Sequence, residues 1–103
     1  MAVYVDDWRQ RATVGPVTAR WSHLTADSTD ELHCFAARLG MRRAWFQEHP
    51  HDRLRDHYDV TDRLRQEAIA LGAVSVTWRQ AARTRRQRRR ASVAPAPPGA
   101  GPG

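Results

Sequence analysis

Two helical stretches that each end at a glycine and run directly into a strand constrain this chain more than any other feature. In the first, Ser28-Thr29-Asp30-Glu31 has the spacing of a capping box, in which the serine hydroxyl and the glutamate carboxylate satisfy free amides at a helix start. Leu32, Phe35, Ala36 and Leu39 follow at i, i+3, i+4 and i+7, and Gly40 supplies a left-handed stop. Residues 41–47 then read as a strand. The second helix is expected to begin between Asp59 and Thr61, to carry Val60, Leu64, Ala68 and Leu71 as its apolar stripe, and to end at Gly72. Val74, Val76 and Trp78 alternate behind it as a strand does. Strand-helix-strand passages of this length favour right-handed crossovers between parallel strands, with the helices as a covering layer.

Two strands precede the first helix. Val3-Tyr4-Val5 is a short apolar run that ends in Asp6-Asp7, and residues 19–24 carry a second run with Trp21 opposed to Ser22 and Leu24. Residues 8–18 are polar, contain Gly15-Pro16 and read as a loop. The expected fold is therefore α/β, in the order β-β-α-β-α-β: a small single-layer, mostly parallel sheet of about four strands covered by two helices. Trp21, Trp45 and Trp78 are expected to fill its core, and Trp8 to stack on a ligand or be buried.

Charge marks where that domain ends. The chain of 103 residues has a net charge of +6. Residues 1–82 hold eleven arginines against all eleven acids, and residues 83–90 hold the other six arginines, so the excess lies in one short run. Residues 1–80 are expected to form the domain, and residues 81–103, Arg-rich and then rich in Pro, Gly and Ala, a disordered tail. The run 83–90 would suit the phosphate backbone of a nucleic acid, but no aromatic interrupts it to stack on bases, and a solvated basic tail explains it as well. So small a core gives a stability on the order of 5 kcal/mol, which a homodimer would augment. Cys34 is the sole cysteine, so an internal disulfide is excluded and a reducing cytoplasm is the expected setting. The first apolar run is too short for a signal peptide, and none approaches the roughly 20 residues of a membrane span.

The polar residues gather where ligands bind in such folds, at the carboxyl ends of the strands. Asp6-Asp7 closes the first strand, His23 to Asp27 the second, and Arg79 follows the last, with His57-Tyr58-Asp59 at the entrance of the second helix. Two acids with imidazoles hold a divalent metal, deliver a general base or bond a ribose. The sequence does not choose among these. His23 and His33 are ten apart, and neither H-E-x-x-H nor C-x-x-C occurs, so no zinc pattern is matched. The competing readings are structural: Asp6-Asp7 as strand-end residues, Asp27 as a cap for the following helix, His33 packed at the border of an apolar stripe, and His57-Tyr58-Asp59 as a cap with packing. His49 and His51 flank a proline and are expected to be solvated, and Cys34, off the apolar stripe, has no partner to activate it.

Ala2-Val3-Tyr4-Val5-Asp6-Asp7, His23-Leu24-x-Ala26-Asp27, Glu31-Leu32-His33, Gly40, Trp45-Phe46-Gln47, His57-Tyr58-Asp59 and Gly72-Ala73 together resemble a family of short bacterial and phage proteins known as domain of unknown function 4031. The resemblance spans about residues 1–80. It implies that Asp6, Asp7, His23, Asp27, His33, His57, Tyr58 and Asp59 act as a set, and it brings no activity. Trp8, where the family has Met, and an acid- and Arg-rich loop before His57 depart from its pattern.

The expectation is a pocket for a phosphorylated small molecule such as a nucleotide, with hydrolysis assisted by a divalent metal as an extension. His23 and His57 would be the acid and base, with Asp27 and Asp59 orienting them; Asp6, Asp7, His33, Tyr58 and Arg79 would bind the ligand; Asp6, Asp7 and His23 would hold a metal. The alternatives are a non-catalytic nucleic-acid accessory using the arginine run, and a structural or partner-binding dimeric domain.

Overall fold

Gly15 and Pro16 form the tight turn of a hairpin. Glycine at the first central position, with φ of 59°, followed by a proline whose φ is fixed negative, is the pattern of a type II′ turn. It joins β2 (Gln10–Val14) to the ten-residue β3 (Val17–Ala26), with Val14 opposite Val17 and Gln10 opposite Trp21. The expected loop is thus mostly strand. β2 is exposed along its whole length, so no inside-outside alternation marked it in the sequence.

The computed structural model describes residues 2–92. β1 (Val3–Val5) pairs with the far half of β3, and β2 with its near half, both on the edge of β3 opposite β5 (His57–Thr61). β1 and β2 are therefore one interrupted strand. Residues 6–9 lie between the Val5–Leu24 and Gln10–Trp21 pairs, opposite only Ser22 and His23, and form a bulge that Arg9 enters with φ of 47°. β4 (Phe46–Gln47) extends the sheet beyond β5, and β6 (Val74–Ser75) lies beyond β1, giving six strands in the order β4-β5-β3-β1-β6 with β2 alongside β3.

The sheet is mostly antiparallel, which corrects the expected parallel one. Among the described residues β1–β6 is the one parallel pair, and the remaining pairs are antiparallel because the first three strands fold as a hairpin and β5 returns against β3. The first of the two expected crossovers exists: β3, α1 (Thr29–Arg38) and β4 form a strand-helix-strand unit whose strands run parallel with the antiparallel β5 between them. The second starts from a different strand: β5, not residues 41–47, precedes α2 (Asp62–Ala70) and runs parallel to β6 with β3 and β1 between them, while β4 reaches β5 by way of a single-turn helix at 53–55.

α1 is built as its sequence indicates. Ser28 Oγ accepts from the Glu31 amide at 3.2 Å, and Gly40 follows the helix with φ of 78°. α2 starts later than expected, with Thr61 as its cap, because residues 57–61 are strand: Tyr58 and Val60 point inward while His57 and Asp59 point away. Leu32, Phe35 and Ala36 of α1 and Ala68 of α2 close a core over Val5, Leu24, Tyr58 and Val60. The expected tryptophan core is absent: Trp8, Trp45 and Trp78 are 40%, 48% and 47% exposed, and Trp21 donates from its indole to the Ala12 carbonyl.

The largest departure is a third helix, α3 (Trp78–Ser92), across the segment expected to begin a disordered tail. The domain boundary expected after residue 80 falls inside it. Thr77 and Gln80 cap it reciprocally, each side chain accepting from the other's amide at 3.0 and 2.8 Å. The disorder expected for the Pro-, Gly- and Ala-rich end concerns residues 93–103, outside the described residues. Among the described residues no helix is long and apolar enough to cross a membrane.

Candidate functional site

Because Val5, Leu24 and Tyr58 face α1 and α2, their strand neighbours Tyr4, His23, Thr25, His57 and Asp59 share the opposite face of the sheet. α3 and the 48–56 segment lie over that face. Between them is a cavity of about 390 Å³, floored by Tyr4, His23, Thr25 and His57 and roofed by Ala81, Thr84, Arg85 and Arg88 of α3. The roof residues recur at i, i+3, i+4 and i+7, one face of a helix.

The bulge delivers the central pair. Asp6 keeps one ladder bond, from its amide to the His23 carbonyl at 3.1 Å, but its own carboxylate replaces its carbonyl in the reciprocal bond: Oδ1 accepts from the His23 amide at 3.0 Å. The displaced Asp6 carbonyl accepts from Arg65 of α2 at 2.8 Å. Oδ1 also accepts from the Trp8 amide at 3.1 Å, and Oδ2 lies 2.7 Å from His23 Nδ1. Burial pushes the Asp6 carboxyl up, yet the His23 ring and these amides outweigh it, and it stays ionised below its ordinary range. A carboxylate facing Nδ1 fixes the His23 proton there and leaves Nε2 with a free lone pair. The Trp8 ring lies against His23, centroids 5.0 Å apart.

His57 stands beside it, ring centroids 4.9 Å apart at 84°. Its Nδ1 is 2.7 Å from the Arg55 carbonyl and its Nε2 is 3.2 Å from Asp59 Oδ1. Burial lowers the His57 pKa, and the Asp59 carboxylate and the Arg55 carbonyl more than reverse it, so the ring titrates above its usual value. Asp59 is held below the carboxylate range chiefly by its bond to His57. His49, expected to be solvated, stacks on His57 with centroids 5.6 Å apart.

The expected site residues divide four ways. Asp6, His23, His57 and Asp59 come together on the cavity side. Asp7 and Asp27 fasten chain segments: Asp7 Oδ1 accepts from the Trp78 amide at 2.7 Å, while Asp27 accepts from the Ala2 amide, Tyr4 hydroxyl and Arg88 at 2.7, 2.9 and 2.6 Å. Ser28, not Asp27, caps α1. The Arg88 guanidinium bonded to Asp27 holds that carboxyl low. His33 and Tyr58 meet on the other face, His33 Nδ1 2.7 Å from the Tyr58 hydroxyl, with burial pushing His33 down and Tyr58 up. Arg79 lies over the Trp78 ring, 5.7 Å from its centroid.

Several cavity residues went unnoticed in the sequence. Arg85 is pushed below the usual guanidinium value by burial and by the nearby charges of Arg55 and Arg89, a crowding of cations relieved in part by Asp52, which bonds Arg89. Asp56 is 5% exposed; its Oδ1 accepts from the His49 amide at 2.6 Å, and its Oδ2 makes no hydrogen bond among the described residues, with Arg53 at 3.6 Å. The signal for Arg85 and Arg88 was Thr77-x-x-Gln80, a capping box followed by the helix-face spacing of Ala81, Thr84, Arg85 and Arg88.

A family model described as "Protein of unknown function (DUF4031)" matches residues 3–88. The chain belongs to that family, as the resemblance implied, and the match extends into α3. No curated protein and no solved structure matches it.

Proposed function

We propose that this DUF4031 domain binds a phosphorylated small molecule, a nucleotide being the class that fits best, between the sheet and α3, and hydrolyses it there. The observation that carries the reading is the opposition of Arg85 and its cationic neighbour Arg55 to the Asp6–His23 pair across one cavity. Guanidinium groups crowded at a cavity wall repel one another until an anion joins them, and their fork geometry suits phosphate oxygens. His23, its Nδ1 proton held by Asp6, would accept a proton from water at Nε2 as that water attacks phosphorus and the phosphorus–oxygen bond to the leaving group breaks, the departing oxygen taking a proton from solvent, and Asp6 would stabilise the resulting imidazolium. Arg55 and Arg85 would offset the charge gathering on the phosphoryl oxygens.

The arginine run serves a nucleic-acid reading less well. Arg85 lines the cavity, Arg88 bonds Asp27 and Arg89 bonds Asp52, so half of the run's arginines turn toward the domain.

Thermal unfolding of the full chain against nucleotides and sugar phosphates tests the proposal. A ligand at 100 times its dissociation constant adds about 2.7 kcal/mol. A rise that disappears in Arg85→Ala, with phosphate release that disappears in Asp6→Asn, is the expected result. No rise with any phosphorylated compound overturns it.

A further inference from the structure

We infer that His23, His57 and Asp59 form a binding site for one divalent transition-metal ion. The inference goes beyond the phosphate reading, since metal uptake requires no anion, and a bound ion would occupy His23 Nε2, so the His23 base of that reading belongs to the metal-free chain. One donor atom from each of the three lies within 4.8 Å of the other two. The arrangement of the two imidazoles is more telling than their proximity. Each has its Nδ1 occupied by an oxygen acceptor, Asp6 Oδ2 for His23 and the Arg55 carbonyl for His57, both at 2.7 Å. Metal-bound histidines are held this way: an outer oxygen takes the proton of one nitrogen, fixes the ring and leaves the other nitrogen for the ion.

The spacing agrees. His57 Nε2 and Asp59 Oδ1 are 3.2 Å apart. Charge-assisted N–H···O bonds cluster at about 2.7–2.9 Å, whereas two donors each about 2.1 Å from one ion, at angles between octahedral and tetrahedral, stand roughly 3.0–3.4 Å apart. With His23 Nδ1 bonded to Asp6, Nε2 is the His23 atom left to complete the set. Its ring is braced by Trp8 on one side and meets His57 edge-on at the other, so only a small turn brings the third donor in.

Ligand chemistry selects the ion. Two imidazoles and one carboxylate suit Zn²⁺, Mn²⁺ or Fe²⁺, while Mg²⁺ and Ca²⁺ prefer all-oxygen sets. Three protein ligands leave positions for water or substrate, and His23 and His57 belong to the cavity lining, so those positions open onto the cavity. The metal set expected from sequence, Asp6, Asp7 and His23, changes accordingly. Asp6 becomes the outer partner of a ligand, Asp7 lies at the start of α3, and the bond between Asp6 and His23 makes Asp6 a positioning residue.

The test is Co²⁺ titration of the metal-stripped full chain, followed by visible d–d absorption and competed with Zn²⁺. One ion per chain is expected, with affinity lost by at least about 100-fold in His23→Gln and Asp59→Asn, weakened about 10–100-fold in Asp6→Asn, and unchanged in His51→Asn. Proton NMR of the unmutated chain gives a check independent of any variant's folding: Co²⁺ should shift the ring protons of His23 and His57 and leave those of His33 in place. Absence of a bound ion overturns the inference. So does binding that survives His23→Gln and Asp59→Asn, or that shifts the rings of His49 and His51 alone.

Discussion

Val5, Leu24, Tyr58 and Val60 meet α1 and α2 across one face of the sheet, whereas Tyr4, His23, Thr25 and His57, from the same three strands, meet α3 and the 48–56 segment across the other. The first interface is apolar and closed to solvent. The second is fastened by a cap bond from Trp78 to Asp7 and by ion pairs of Arg88 with Asp27 and Arg89 with Asp52, and it leaves a cavity. Contacts that exclude water stabilise a small domain, while charged contacts beside a cavity contribute little to stability and much to what can be bound. One face holds the fold and the other encloses a cavity lined by ionisable side chains.

Adjacent residues of β3 test that division most strongly. Leu24 is fully buried, so Leu24→Ala should cost about 2–5 kcal/mol, much of what so small a domain has. Thr25→Ala, one residue on and facing the cavity, should cost less than about 1 kcal/mol. Urea unfolding of both variants measures the difference, and equal losses would mean that the cavity face is as much a core as the other.

A smaller effect is expected at Asp6, where the cavity face does contain a buried charge. In Asp6→Asn the remaining carbonyl can still accept from the two amides, but the new amino group confronts His23 Nδ1. The loss should be about 1–3 kcal/mol in the same unfolding experiment. A change near zero would show that the carboxylate matters to the site alone.

The smallest effect concerns the fastening of α3. Asp27→Asn should cost no more than about 1 kcal/mol, since the ion pair with Arg88 is partly exposed. Arg88 lowers the Asp27 pKa below its ordinary 3.8 in the folded chain, so the contribution is complete above that value and is lost as pH falls through the lower folded one. Protection of the α3 amides, taken relative to the intrinsic exchange rate at each pH, should therefore fall as pH drops below 3.8, and Asp27→Asn should abolish that dependence. Unchanged protection would place the hold on α3 elsewhere.

The same division decided what could be read from sequence. α1 was legible because its signals are local: Ser28 and Glu31 bond each other three residues apart, and the apolar stripe repeats within one element. β5 was misread because Thr61, a cap three residues before the Leu64 amide it bonds, lies next to a strand whose Tyr58 and Val60 also fit a helical stripe. β2 carries no burial pattern, and only its partner strand makes it regular. α3 was hidden by its charge, although Arg, Ala and Gln are good helix formers and its capping box is explicit. At the site, Asp6 and His23 were singled out at strand ends and His57 and Asp59 at a helix entrance, and the structure brings the four together through strand pairing that no local signal shows. Pairing His23 with Asp59 across β3 and β5 required knowing that β5 exists.

The bulge at residues 6–9 bears on how this chain tolerates changes in length. Four residues stand where two would complete the ladder, an even excess, so β2 emerges with the same sides up as an uninterrupted strand would have. Losing or gaining one residue there would turn β2 over. Losing two would heal the hairpin into an unbroken strand and return the Asp6 carbonyl to its ladder bond with His23. The sheet would be more regular for it, and the imidazole would have lost its acid.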